Sequence, residues 1–62
     1  MSVGDLVVLP AEPTLGVGRI ERFTDLDGAK AVRVLLYPSG EFVVRPLGDV
    51  APCPPGVWPP AG

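Results

Sequence analysis

Val3-Gly4-Asp5-Leu6-Val7-Val8-Leu9-Pro10, followed by Leu15-Gly16-Val17-Gly18-Arg19-Ile20, reads as a strand, a proline stop and a glycine-flanked return strand. The Gly-Asp pair opens the first strand as a turn, and the run from Asp5 to Leu9 is rich in β-branched residues that suit a pleated surface. Leu6 and Val8 alternate with Val7 and Leu9, so both faces carry apolar side chains. Such a strand is buried on two sides or lies at the seam of a barrel. Pro10 ends the ladder because its nitrogen has no hydrogen to donate. Ala11 to Leu15, with Glu12-Pro13-Thr14 inside, reads as an exposed loop.

The second strand runs from Val17 to Thr24. Gly16 and Gly18 on either side of Val17 mark a bulge or a tight bend where backbone approaches backbone. Ile20 and Phe23 cannot share a face under a strict period of two, and a bulge would reconcile them. Asp25-Leu26-Asp27-Gly28 supplies the positive φ angles of a tight hairpin. Ala29 to Tyr37 is the third strand, with Val32, Val34 and Leu36 on one face and Ala31, Arg33, Leu35 and Tyr37 on the other. Pro38-Ser39-Gly40 is a second turn. Glu41 to Arg45 is the fourth strand, on which Phe42 and Val44 are expected to face the core. Leu47 to Val50 is too short for an α-helix and predicts a 3₁₀ turn into a short fifth strand.

The 62 residues make one domain with a thin core, because a chain this small buries only about 60 % of the surface it exposes when unfolded. Cys53 is the only cysteine and histidine is absent, which rules out an internal disulfide and leaves too few ligands for a structural zinc site. Apolar packing must hold the fold, and 47 % hydrophobic residues provide the material. The fold class expected is all-β, a small SH3-like (Tudor-like) barrel of four to five antiparallel strands over residues 1–51. Residues 52–62 form a proline-rich tail, with Pro52, Pro54, Pro55, Pro59 and Pro60 denying donors to helix or sheet. Trp58 in that tail reads as a plug for an open barrel end, or as a proline-rich ligand for another protein's aromatic groove.

No basic stretch followed by an apolar run opens the chain, and no apolar run approaches the ~20 residues of a membrane span. A soluble, cytoplasmic protein is therefore expected. Five basic against seven acidic residues give a net charge of −2, which disfavours a free-standing nucleic-acid binder. Enzymatic chemistry is not expected, since no histidine, no serine or cysteine beside a base and no carboxylate pair in a recognisable cleft is present. No cofactor is expected either. The glycines match no phosphate-binding spacing and no helix follows them. Asp25 and Asp27 flank a hairpin, where they stabilise the turn.

The Val3–Val8 block with Pro10, then Gly16-Val17-Gly18-Arg19-Ile20, then Gly40-Glu41-Phe42-Val43-Val44-Arg45-Pro46, resembles the RNA polymerase-interacting domain. That domain is the Tudor-like module of CarD-type transcription regulators and transcription-repair coupling factors. The resemblance implies docking on the β subunit of bacterial RNA polymerase by strand addition, where backbone hydrogen bonds give affinity and side chains give specificity. It implies a contact role for Arg45, near the end of the fourth strand, and for Arg22, near the end of the second. The longer Ala11–Leu15 turn departs from the family's short His-containing turn, and these 62 residues contain no counterpart of the helical DNA-contacting domain of CarD.

Arg45 has a second reading, in which its stem covers the barrel edge and its head pairs with Glu41 two residues back. Tyr37, at a strand end, reads as an aromatic contact. Arg45, Arg22, Tyr37 and Glu41 are thus the candidate partner-binding residues. Two other classes stay open: a nucleic-acid-binding Tudor or KOW-like barrel using Arg19, Arg22, Arg33 and Arg45, and a small structural subunit of a larger complex. Unpaired strand edges also make self-association through those edges physically accessible.

Overall fold

The computed structural model describes residues 1–37 and 39–54. The element order is β1 (Leu6–Val8), a 3₁₀ turn (Pro13–Leu15), β2 (Val17–Leu26), β3 (Ala29–Tyr37), β4 (Phe42–Pro46), a second 3₁₀ turn (Leu47–Asp49) and β5 (Ala51–Pro52). These form one five-stranded antiparallel sheet in the order β4-β3-β2-β1-β5, a barrel-like arrangement that is not closed between β4 and β5. No helix among the described residues is long and apolar enough to cross a membrane. The reading of Trp58 as a plug or a ligand lies outside the described residues.

Each turn has a local cause. Ser2 N–H donates to the Asp5 carboxylate at 2.8 Å, and Gly4 at φ +93° donates its N–H to the Ile20 carbonyl at 2.9 Å. The β2–β3 turn has Asp27 at φ 52° and Gly28 at φ 82°, the paired positive angles of a two-residue type I′ hairpin. At the β3–β4 turn the Gly40 N–H donates to the Leu36 carbonyl, while the Leu36 N–H donates to the Glu41 carbonyl.

The register of β2 on β3 shifts between Ile20 and Arg22, so Glu21 is the bulged residue. Ile20 then opposes Val34 and Phe23 opposes Val32, which gives both the same parity; Ile20 is buried in the core, while Phe23, nearer the hairpin, stays 42 % exposed. The bulge therefore sits at Glu21 rather than beside Val17. Gly18 serves the other expected purpose, close approach: a Cβ there would lie 2.3 Å from Val34 Cγ1 and 3.0 Å from the Leu35 carbonyl oxygen.

Val7, Leu9, Ile20, Val32, Val34, Leu36 and Val50 are the buried cluster, with Leu15, Val43 and Leu47 packed against it. The expected inner face of β3 is confirmed. That of β4 is inverted: Val43 opposes Val34 on the core side, whereas Phe42 opposes Leu35 and is 47 % exposed. The cause is parity. Phe42, Val43 and Val44 are all apolar, so the strand can bury either face, and the turn that delivers Glu41 opposite Leu36 selects Val43.

Three smaller differences follow from local chemistry. Pro13–Leu15 forms a 3₁₀ turn within the expected loop, with Pro13 in its first turn. Pro52 belongs to β5 rather than to the tail. It opposes Val7, and the Cys53 N–H reaches the Leu6 carbonyl at 3.0 Å, so the proline nitrogen faces away from β1 where no donor is needed. Beyond Thr24, β2 and β3 outrun their neighbours: β4 pairs no further along β3 than Ala31, and β1 ends its pairing at Arg19. Asp25 to Lys30 is thus, among the described residues, a two-stranded ribbon projecting from the sheet.

Candidate functional site

The sheet has two edges, the two-residue β5 and the longer β4, which has no strand on its far side among the described residues. An antiparallel ladder alternates residues that bond their partner with residues that do not. The Leu36–Glu41 hydrogen bond sets the phase, so Val43 and Arg45 bond to β3. The backbone N–H and C=O groups of Phe42 and Val44 consequently point outward, away from β3. Pro46 ends the edge with a nitrogen that cannot donate.

The side chains along this edge differ by face. On the outer face Phe42 and Val44 are 47 % and 37 % exposed. The Arg33 guanidinium stands over the Phe42 ring, 4.1 Å from its centroid. Such a contact is worth about 0.5–1 kcal/mol at an exposed site, enough to orient the ring without hiding it. On the inner face Val43 packs on the core and Arg45 reaches sideways. Its Nε and Nη2 donate to the two Glu12 carboxylate oxygens at 2.7 and 3.0 Å, and its Nη1 donates to the Val44 carbonyl at 2.9 Å.

Arg45 therefore pairs with Glu12 and not with Glu41. The bridge ties β4 to the loop after β1 across 33 residues of sequence, and one of the outward carbonyls of the edge is capped by the same guanidinium. The hydrogen bond from Arg45, reinforced by its charge against a smaller effect of burial, holds the Glu12 carboxyl below its ordinary 4.5. Because the folded-state value is the lower one, the bridge adds stability above the ordinary carboxylate range. That stability is lost as pH falls through the lowered value. Wild-type protein is expected to exceed Glu12→Gln in urea midpoint at neutral pH, and the gap is expected to close in acid. A gap that stays constant with pH would refute the assignment.

The other predicted site residues lie around this edge to different degrees. Tyr37 and Glu41 line one shallow depression with Thr14, Leu15, Leu36 and Ser39, at the start of β4. Arg22 is remote from that depression. It opposes Arg33 on the outer face and stands 3.9 Å from Glu21, which also approaches Arg33 at 3.5 Å. The structure thus gathers Tyr37 and Glu41 at one end of the edge and Arg45 towards the other, and leaves Arg22 on the middle of the sheet.

Glu12, Phe42 and Val44 are the residues of this surface that sequence reasoning did not select. Glu12 meets its partner 33 residues away, which no local pattern announces. The signal for Phe42 and Val44 was present in the apolar triplet Phe42-Val43-Val44, which offers two faces to bury and can use only one. The outer face of the sheet also carries half-buried Leu6, Val8, Val17 and Leu35, together with Arg19, Arg22 and Arg33. The chain matches no family model, no curated protein and no solved structure.

Proposed function

We propose that this chain is a non-catalytic, cytoplasmic docking module that adds the free edge of β4 to the sheet of a protein partner. The partner proposed is the β subunit of bacterial RNA polymerase, which the CarD-like sequence blocks imply, and the outcome is modulation of transcription. The observation that carries the reading is the open edge itself. It offers the N–H groups of Phe42 and Val44 and the Phe42 C=O, with the Val44 C=O held by Arg45, flanked by two exposed apolar side chains. Strand addition needs this combination of unpaired backbone and alternate side chains. Arg45 enters as a brace for the edge through Glu12 and as a donor with N–H groups to spare, since three of its five are engaged.

Purified polymerase β subunit tested on the immobilised chain decides the matter. Phe42→Glu is the informative variant because Phe42 is exposed and its loss leaves the buried cluster intact. Binding is expected to weaken about 10- to 100-fold, the effect of losing an aromatic anchor at an interface centre. Undiminished binding by folded Phe42→Glu, or none by the wild type, would overturn the reading.

A nucleic-acid-binding barrel is the second reading, and one observation favours it: Arg19, Arg22 and Arg33 share the outer face. Glu21 stands between two of them, and the chain as a whole is acidic. That reading requires binding to fall steeply with added salt.

A further inference from the structure

The residues of the β4 edge are self-complementary. Read from Glu41, they run Glu-Phe-Val-Val-Arg, and the same five in reverse set Glu against Arg, Phe against Val and Val against Val. We infer that two copies of this chain pair antiparallel through their β4 edges, about a two-fold axis at Val43. The inference uses the same edge as the docking reading but stands without it.

The hydrogen-bond phase of β4 permits this register. Phe42 and Val44 are the residues whose backbone groups point outward, and a centre at Val43 places Phe42 of one copy opposite Val44 of the other. Each such pair exchanges two backbone hydrogen bonds, giving four across the axis. On the outer face the exposed Phe42 ring then lies against the exposed Val44 of the second copy. On the other face Glu41 lies opposite Arg45 of the second copy, with Cβ atoms about 4.5–5.5 Å apart in such a pair. Moving the centre by one residue to Val44 would set Phe42 against Pro46, which has no N–H to contribute.

Arg45 makes the exchange possible. In the single copy its Nη1 caps the Val44 carbonyl, the same group that the Phe42 N–H of the second copy would fill. On pairing, the Phe42 N–H of the second copy takes over the Val44 carbonyl, and the planar guanidinium swings as a unit to share its N–H groups between Glu12 and the facing Glu41. The cap is thus a reversible guard on the edge. A paired edge is hidden from any other sheet, so self-pairing and docking on a partner exclude one another.

The edge is only five residues long, too short for the ~1,000 Å² typical of a stable interface, so weak association, on the order of 100 μM, is expected. Sedimentation equilibrium of the purified chain from about 10 μM to about 1 mM spans that range. The mass is expected to rise from 6.5 kDa towards twice that value. Glu41→Arg and Arg45→Glu are each expected to remain single, because each sets like charges opposite one another. An equimolar mixture of the two is expected to associate, since both charged pairs across the two-fold axis are again opposite in sign. If Arg45→Glu does not fold, Glu41→Arg, which keeps the Glu12 bridge, carries the comparison with wild type. A wild-type mass of 6.5 kDa throughout, or a Glu41→Arg variant that associates as well as wild type, would overturn the inference. No polymerase is present in this measurement, so its failure leaves the docking reading to its own test.

Discussion

Ile20→Ala is expected to lower the free energy of unfolding by about 2–5 kcal/mol, the usual cost of truncating a buried aliphatic side chain. For 62 residues the whole stability is only about 3–9 kcal/mol, so this one change threatens the fold. Ile20 is 1 % exposed and opposes Val34 in the middle of the sheet. Its backbone is also a junction. Its carbonyl accepts from Gly4 and its N–H donates to the Asp5 carbonyl, fastening the opening turn to β2. The side chain is thus held on a backbone that cannot easily shift to refill the space. Urea unfolding should show the loss, with Ile20→Val costing about 0.5–1.5 kcal/mol as the graded control. A midpoint for Ile20→Ala close to that of wild type would show that Ile20 is not the centre of the core.

Gly18→Ala is the opposite experiment, adding one carbon where there is no room. The new Cβ would lie 2.3 Å from Val34 Cγ1 and 3.0 Å from the Leu35 carbonyl oxygen. Val34 is fully buried and β-branched, so its methyl cannot swing aside without entering the core. The alternative is to lift β2 from β3, which strains the ladder at Leu36 and Leu35. Overpacking of this kind costs about 1–3 kcal/mol. Gly48→Ala provides the contrast, since a Cβ there meets nothing within 4 Å. Thermal unfolding of the two variants should separate them clearly, and equal midpoints would contradict the close approach at Gly18.

The residues that announce strands and turns did so through chemistry that acts over a few positions. Asp27-Gly28 specified its hairpin because few other pairs tolerate two positive φ angles. Val32, Val34 and Leu36 specified the core face of β3 because charged Arg33 sits on the other parity. The need for a bulge was legible from Ile20 and Phe23, but its place at Glu21 was not, since register is settled between strands. β4 shows the same limit more sharply. Three consecutive apolar residues leave the face undetermined, and only pairing with β3 turned Phe42 outward. At the candidate edge, Arg45 was identifiable as a residue of consequence. Its true partner, Glu12, lies in a loop whose return to β4 is a property of the whole sheet.

The ribbon from Asp25 to Lys30 has a practical use that follows from its isolation. Its residues pair with each other and, among the described residues, with no third strand, and its tip, the two-residue turn Asp27-Gly28, is exposed. Two-stranded ribbons contribute little independent stability. The tip is therefore a port in the molecule, a site where a dye, an epitope or new chain ends can be grafted without drawing on the buried cluster. Because it lies at the far end of β3 from the Leu36–Glu41 turn, a reporter placed there would watch the β4 edge from outside it.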